Sequence, residues 1–203
     1  MGFVPMEPAT ATHSISTSFE SARLILRAYQ PGDGGMYFQI GQKNMLHLQR
    51  YESRNSILRI HNAEEGERLI QEHCTAWQKG DYYMLGAFAK DTGEFAAQIY
   101  VGTVSRELPE YEVGYFADRD HEGMGFITEA VRATLAWIFR ELKAQRISLS
   151  CRDTNYRSAR VAERCGFTQE GHLRRNRRDP DGTLSGDLIY GLLPSEFEQN
   201  PLS

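Results

Sequence analysis

Two kinds of apolar repeat follow one another through the second half of the chain, and their order limits the topology more than any other feature. "EYEVGYFA", near 110–117, alternates as a strand. Ile127, Val131, Leu135, Ile138 and Leu142 then trace one face of a helix, and "RISLSCRD" alternates as a strand again. Strand, helix and strand in this order make one right-handed crossover joining two parallel strands. Upstream, "ARLILRAY" near 22–29 reads as a first strand. "YYMLGAFA" and "FAAQIYVGTV" read as a hairpin around the turn "KDTGE". Downstream, "NYRSARVAERCGF" reads as a helix ended by Gly166, and two final strands flank "DPDG". A chain that places strands first, then strand–helix–strand–helix, then a hairpin is an α+β fold with a mixed sheet.

Between these elements, "NAEEGERLIQEHCTAWQKG" carries an Asn62 cap, acids in its first turn and a stop at Gly80. A helical region runs through Met36, Phe38 and Ile40, and 41–62 reads as short helical pieces. At 203 residues, with 40% hydrophobic content, the chain suits one domain, placed at 19–198 behind a mobile tail at 1–18. That opening lacks the layout of a secretory signal, and Met6 breaks the myristoylation pattern. No apolar run nears the ~20 residues a bilayer span needs. A net charge of -4 argues against a nucleic-acid or membrane partner. The odd set Cys74, Cys151 and Cys165 suits buried thiols in a reducing cytoplasm. His13, His47, His61, His73, His121 and His172 are scattered without metal-ligand spacing, so no metal is expected.

The candidate site is "DRDHEGMGFITEA", 118–130, where two glycines precede the helix. The first N–H groups of a helix point outward and its dipole favours an anion. Absent side chains at Gly123 and Gly125 would let a phosphate reach them. A tight turn into a packed helix uses the same glycines, and spacing alone leaves both readings open. A P-loop would need Gly-Lys-Ser/Thr where Phe126, Ile127 and Thr128 stand. A dinucleotide fingerprint would need a small residue at Thr128 and a place after the first strand.

"YEVGYFADRDHEGMGFITEAV" resembles the acyl-CoA-binding segment of the GNAT superfamily of N-acetyltransferases. "NYRSARVAERCGFTQEGHLRR" resembles the second half of the site in the branch that acetylates N-termini of ribosomal proteins, the RimJ/RimL-like branch. The likeness runs over about residues 20–193. It implies a mostly antiparallel central sheet of about seven strands, flanked by helices and splayed between the fourth and fifth strands. It also implies acetyl-CoA as acyl donor. The superfamily pattern R/Q-x-x-G-x-G/A falls on Glu122, Gly123, Met124, Gly125, Phe126 and Ile127, with Glu122 and Ile127 departing from it. An acid there weakens attraction for a diphosphate, which leaves the backbone amides to carry it, with Arg119, Arg157 and Arg160 as nearby cations.

Acyl transfer to an amine needs a neutral acceptor, alignment, donors to the carbonyl oxygen and a proton for the leaving thiolate. The resemblance assigns the carbonyl donor to the backbone at Tyr115–Phe116, the proton to Ser158 and the pantetheine arm to Asn155. Asn155 reads equally well as a helix cap. Two carboxylates compete as base: Glu170, matching an acid of that branch, and Glu112 on the fourth strand, with Glu170 preferred. Arg174, Arg175, Arg177 and Arg178 read first as a solvated strand face, and second as an attraction for acidic ligands. The expected acceptor is the N-terminal α-amine of a protein or peptide. A small-molecule amine is the alternative, and a non-catalytic CoA-binding module a third reading. The resembled branch also implies a homodimer.

Overall fold

The computed structural model describes residues 15–52, 55–179 and 182–199. Strands β1 (Ser18–Glu20) and β2 (Leu24–Ala28) lead into helix α1 (Gly34–Tyr51), a 3-10 turn at Ser56–Arg59 and helix α2 (Ala63–Lys79). Strands β3 (Tyr82–Ala89), β4 (Phe95–Ser105) and β5 (Glu110–Ala117) follow. Helix α3 (Phe126–Glu141), β6 (Arg146–Arg152) and helix α4 (Tyr156–Arg164) come next, then β7 (Thr168–Arg178), β8 (Leu184–Leu192) and α5 (Pro194–Gln199). The described strands form one sheet in the order β1-β2-β3-β4-β5-β6-β8-β7, antiparallel except where β5 meets β6. This is the expected α+β architecture, with one strand more than the seven read from sequence.

The extra strand is β1, whose three residues are too few to show an alternating pattern. It lies at the boundary drawn for the tail. Trp137 Nε1 donates to the Ser16 carbonyl at 3.1 Å, Phe19 stacks on Trp137, and Ile15 packs against the core. The docked chain therefore begins by Ile15, earlier than expected; residues 1–14 lie outside the described residues. In 41–62, the expected short pieces become the continuous α1 and one 3-10 turn. The apolar rhythm is broken by a buried polar residue, Asn44, only 1% exposed. Its Nδ2 donates to Ile40 O and to Asp118 Oδ2, and its Oδ1 accepts from Arg119 N–H, so the break is a tie to the end of β5. Asn62 and Gly80 bound α2 as read: Asn62 Oδ1 accepts from Glu65 N–H, and Gly80 is left-handed at φ 67°.

Both sheet faces are covered. Leu85, Ile99, Val101 and Val113 face α3 through Val131, Leu135 and Ile138, all nearly sealed from solvent. Met84, Phe88 and Phe116 face α1 and α2 through Tyr37, Ile40 and Ile70. The helices α1 and α2 meet at glycine: a Cβ on Gly66 would lie 2.3 Å from Gly34 O. No described helix is long and apolar enough to cross a membrane.

One detail of the sheet positions the site. β5 pairs with β6 at Glu110↔Arg146, Tyr111↔Ile147 and Glu112↔Ser148 only. Beyond that, β5 stays with β4 as far as Ala117, and β6 stays with β8 as far as Arg152. The two strands diverge into a wedge, at the place expected between the fourth and fifth strands. Its closed end is pinned by Arg146, which reaches Glu110 at 3.2 Å and Glu170 at 2.8 Å.

Leu135 lies on α3 with no exposed surface. Leu135→Ala is expected to lower unfolding stability by about 2–5 kcal/mol, because the sheet beneath cannot fully collapse into the space left. Chemical denaturation of the two proteins measures it.

Candidate active site

At the open end of the wedge the chain leaves β5 through Asp118, which is 1% exposed. Burial pushes its carboxyl up, but Lys43 at 2.7 Å, Asn44 and the Asp120 N–H outweigh burial and hold it below the usual range. The anchored Asp118 caps a short 3-10 turn, Arg119–His121, and fixes where the glycines begin. Gly123 and Gly125 sit at φ 78° and 79°, the left-handed region. A Cβ on Gly123 would meet nothing within 4 Å, and one on Gly125 only Arg23 Nη2 at 3.5 Å. Backbone hand, not crowding by the protein, demands glycine here, and the space outside the turn stays open.

Gly125 is the N-cap of α3 and supplies no side-chain cap bond. Among the described residues, the backbone N–H groups of Gly125 to Thr128 make no hydrogen bond within the protein, whereas Glu129 N–H reaches Gly125 O. These donors and the α3 dipole make an anion site. Arg23, which sequence reasoning did not pick out, braces it. Its Nη1 donates to Met124 O at 3.1 Å, its Nε to Glu129 at 2.7 Å, and its guanidinium lies 4.4 Å over the Phe126 ring.

The acid at Glu122, set where the family pattern has Arg or Gln, does not face the turn unpaired: Arg157 from α4 forms an ion pair with it. Of the other expected cations, Arg119 turns to Asp120 at 3.2 Å, and Arg160 stands exposed on α4. Ile127, the second departure, is partly buried and packs against the core.

Across the wedge, Asn155 caps α4, its Oδ1 accepting from Ser158 N–H at 3.2 Å. Tyr115 Oη donates to Ser158 O at 3.0 Å, and Ser158 Oγ donates to Tyr115 Oη at 3.2 Å. Burial pushes the Tyr115 phenol well above its ordinary value, so it keeps its proton at any working pH. Register settles which amide of β5 faces the wedge. Asp118 N–H donates to Ala96 O, so by alternation Phe116, opposite Gln98, also points at β4, and Tyr115, opposite Ile99, points its N–H into the wedge.

The two carboxylates read as bases go elsewhere. Glu170 stands at the closed end with Arg146, whose hydrogen bonds hold its carboxyl below the usual range. Tyr115 lies about 16 Å further along β5 from Glu110, at ~3.3 Å per residue. A carboxylate held down by Arg146 at the closed end is poorly placed to take a proton beside Tyr115, which counts against Glu170 as the base. Glu112 stands near Tyr100, where its charge helps to raise the phenol. The basic run is a largely exposed strand face: Arg177 bonds Asp187 at 2.7 Å, Arg178 bonds Gly182 O, and Arg175 sits at a bulge with φ 55°.

On the α1/α2 side a cleft of about 430 Å³ opens onto the wedge, lined by Glu52, Glu72, His73, Tyr82, Tyr100 and the strand edge Gly114–Phe116. His73 Nδ1 lies 3.0 Å from Tyr82 Oη and its Nε2 3.3 Å from Tyr37 Oη. Burial pushes the imidazole down to about 4, so it is neutral. Burial raises the Glu52 carboxyl, against the pull of Arg152 and Arg177. Glu52 follows α1 in the stretch without periodicity, and no sequence signal marks it.

A family model described as the acetyltransferase (GNAT) domain matches residues 23–168. A probable N-acetyltransferase of Bacillus subtilis (strain 168), YjcK, is 35% identical over 137 residues, 66% of this chain and 75% of that protein. The ribosomal-protein-serine acetyltransferase of Escherichia coli (strain K12) is 27% identical over 165 residues, 81% of this chain and 87% of that protein. The solved structure of RimL, a ribosomal L7/L12 alpha-N-protein acetyltransferase in complex with coenzyme A, shares the fold at a TM-score of 0.76 and 22% identity, covering 88% of this chain and 97% of its own. The chain belongs to the GNAT acetyltransferase family, enzymes that carry an acetyl group from acetyl-CoA to an amine. The residues present fit that donor: free amides at the α3 mouth for a diphosphate, and unpaired strand edges in the wedge for an extended arm.

Removing Arg157 takes a positive partner from Glu122 beside that anion. Arg157→Ala is expected to raise the KM for acetyl-CoA about two- to five-fold, the scale of a partly exposed ion pair. Glu122→Gln added to it is expected to restore most of the loss; steady-state kinetics on the single and double variants measure the coupling.

Proposed function

We propose that the acceptor is the N-terminal α-amine of a protein or peptide, of the kind modified by the ribosomal-protein-serine acetyltransferase that this chain resembles. The observation that carries this reading is the cleft. At about 430 Å³ it has room for the first residues of a chain, and it brings Glu52 and Glu72 to the wedge where a positive amine would arrive. An α-amine has a pKa of ~7.7–8.0 against ~10.4 for lysine, so the assistance needed to neutralise it is small.

Each side chain then has a task. The amides of Gly123 to Ile127, with Arg157 and Arg160 beside them, hold the phosphates. Asn155, whose Oδ1 caps α4, keeps its amide N–H groups for the pantetheine arm. When bound, acetyl-CoA supplies an activated acyl group on a thiol leaving group. Tyr115 donates its backbone N–H into the wedge, at the place where charge grows on the acyl oxygen. Ser158, oriented by Tyr115, holds the proton destined for sulfur. By the same resemblance, the working form is a cytoplasmic homodimer of a single-domain chain.

With acetyl-CoA and panels of peptides and small amines, thiol release is expected for peptides with a free N-terminus and is lost when that terminus is blocked. Release with small amines alone would remove the peptide reading. Ser158→Ala is expected to lower kcat about 100-fold while leaving the KM for acetyl-CoA unchanged, within the range for a lost general acid. Undiminished turnover in that variant would rule out Ser158 as the proton donor.

A further inference from the structure

Net acetylation of an ammonium yields amide, thiol and one free proton. The amine sheds two protons: one is matched by the proton delivered to sulfur, and the other must reach solvent. Within the wedge and cleft, few groups can take it. Glu170 is bound to Arg146 at the closed end, His73 is too weakly basic with both ring nitrogens engaged, and Glu112 stands beside the Tyr100 phenol. Glu72 lies on α2, along the wall built from β3 and beside Tyr82.

Glu52 is differently placed. It is the C-cap of α1, its backbone N–H held by Leu48 O at 2.6 Å, so the side chain is presented from a fixed point. It lines the same cleft as Gly114, Tyr115 and Phe116 on one strand of the wedge, and it feels Arg152 at the end of the other. It therefore overlooks the gap from both sides. It is open to the cleft's water yet hemmed in by protein. Among the described residues, the two cations facing it are already spent: Arg152, from β6, on Asp179, and Arg177, from β7, on Asp187. The other titratable groups of the cleft are Glu72, His73, Tyr82, Tyr100 and Tyr115. None of them forms an ion pair with Glu52.

We infer that Glu52 is the general base, its carboxylate taking one proton from the acceptor ammonium to leave a neutral amine and a neutral carboxyl, which then returns the proton to solvent through the cleft mouth. The inference rests on the cleft being the acceptor site. A carboxyl that opens to the cleft's water, and that forms no salt bridge among the described residues, is suited to this exchange.

The test compares wild type, Glu52→Gln and Glu52→Asp across pH 6.5 to 9 with a peptide acceptor whose N-terminus is free. The expected result is kcat/KM about 100-fold lower in Glu52→Gln at pH 6.5. The gap is expected to shrink below about ten-fold by pH 9, where solution already supplies the neutral α-amine. The KM for acetyl-CoA and the melting temperature should stay unchanged, and Glu52→Asp, which keeps a carboxylate, should recover part of the low-pH rate. Full activity of Glu52→Gln at pH 6.5, a deficit of constant size at every pH, or Glu52→Asp no faster than Glu52→Gln would each overturn the assignment. If only small amines prove to be acceptors, the same series across the pKa of that amine tests Glu52 separately, because its ammonium must lose the same proton.

Discussion

Three residue pairs join β5 to β6, and everything the site does depends on their being only three. Had the parallel ladder continued, the N–H of Tyr115 would be spent on β6 and no slot would exist. The divergence leaves strand-edge groups without a ladder partner, a cost the fold can bear because each strand stays fully paired on its other side, β5 with β4 and β6 with β8. The closed end is clamped by Arg146 between Glu110 and Glu170, and the open end is bridged by Tyr115 and Ser158. The wedge is thus held at both ends by side chains while its middle stays available for an extended ligand.

Charge is arranged along the same line. At the outer end, the α3 amides and dipole attract an anion, and the ion pair with Arg157 removes the penalty that Glu122 would impose. At the inner end, the cleft carries carboxylates and a neutral imidazole and suits a cation. A negative donor and a positive acceptor therefore approach from opposite mouths and meet at Tyr115 and Ser158. Arginines near the cleft are neutralised within the sheet by Asp179 and Asp187, which keeps them from repelling the amine.

Most of the fold was legible because the apolar repeats are long and capped: the α2 boundaries at Asn62 and Gly80, the strand–helix–strand crossover and the terminal hairpin all follow from local chemistry. β1 was hidden by its length. The continuity of α1 was hidden by Asn44, a polar residue buried for its tertiary bonds, which periodicity counts as a break. The glycine turn could be read from its composition, whereas the ion pair that rescues Glu122 joins residues far apart in the chain and has no local signature. Glu170 shows the opposite case. A motif position suggested a base, but long-range pairing with Arg146 set its acidity. Glu52 is invisible in sequence, because its environment comes from elements distant in the chain: β5, β6 and β7.

The claim that free helix-mouth amides and one strand-edge amide grip the donor is open to a direct reading by hydrogen–deuterium exchange, with and without coenzyme A. Slower exchange confined to Gly123–Thr128 and Tyr115 is the result this account requires. Unchanged exchange at those amides under saturating coenzyme A, with protection appearing elsewhere, would contradict it.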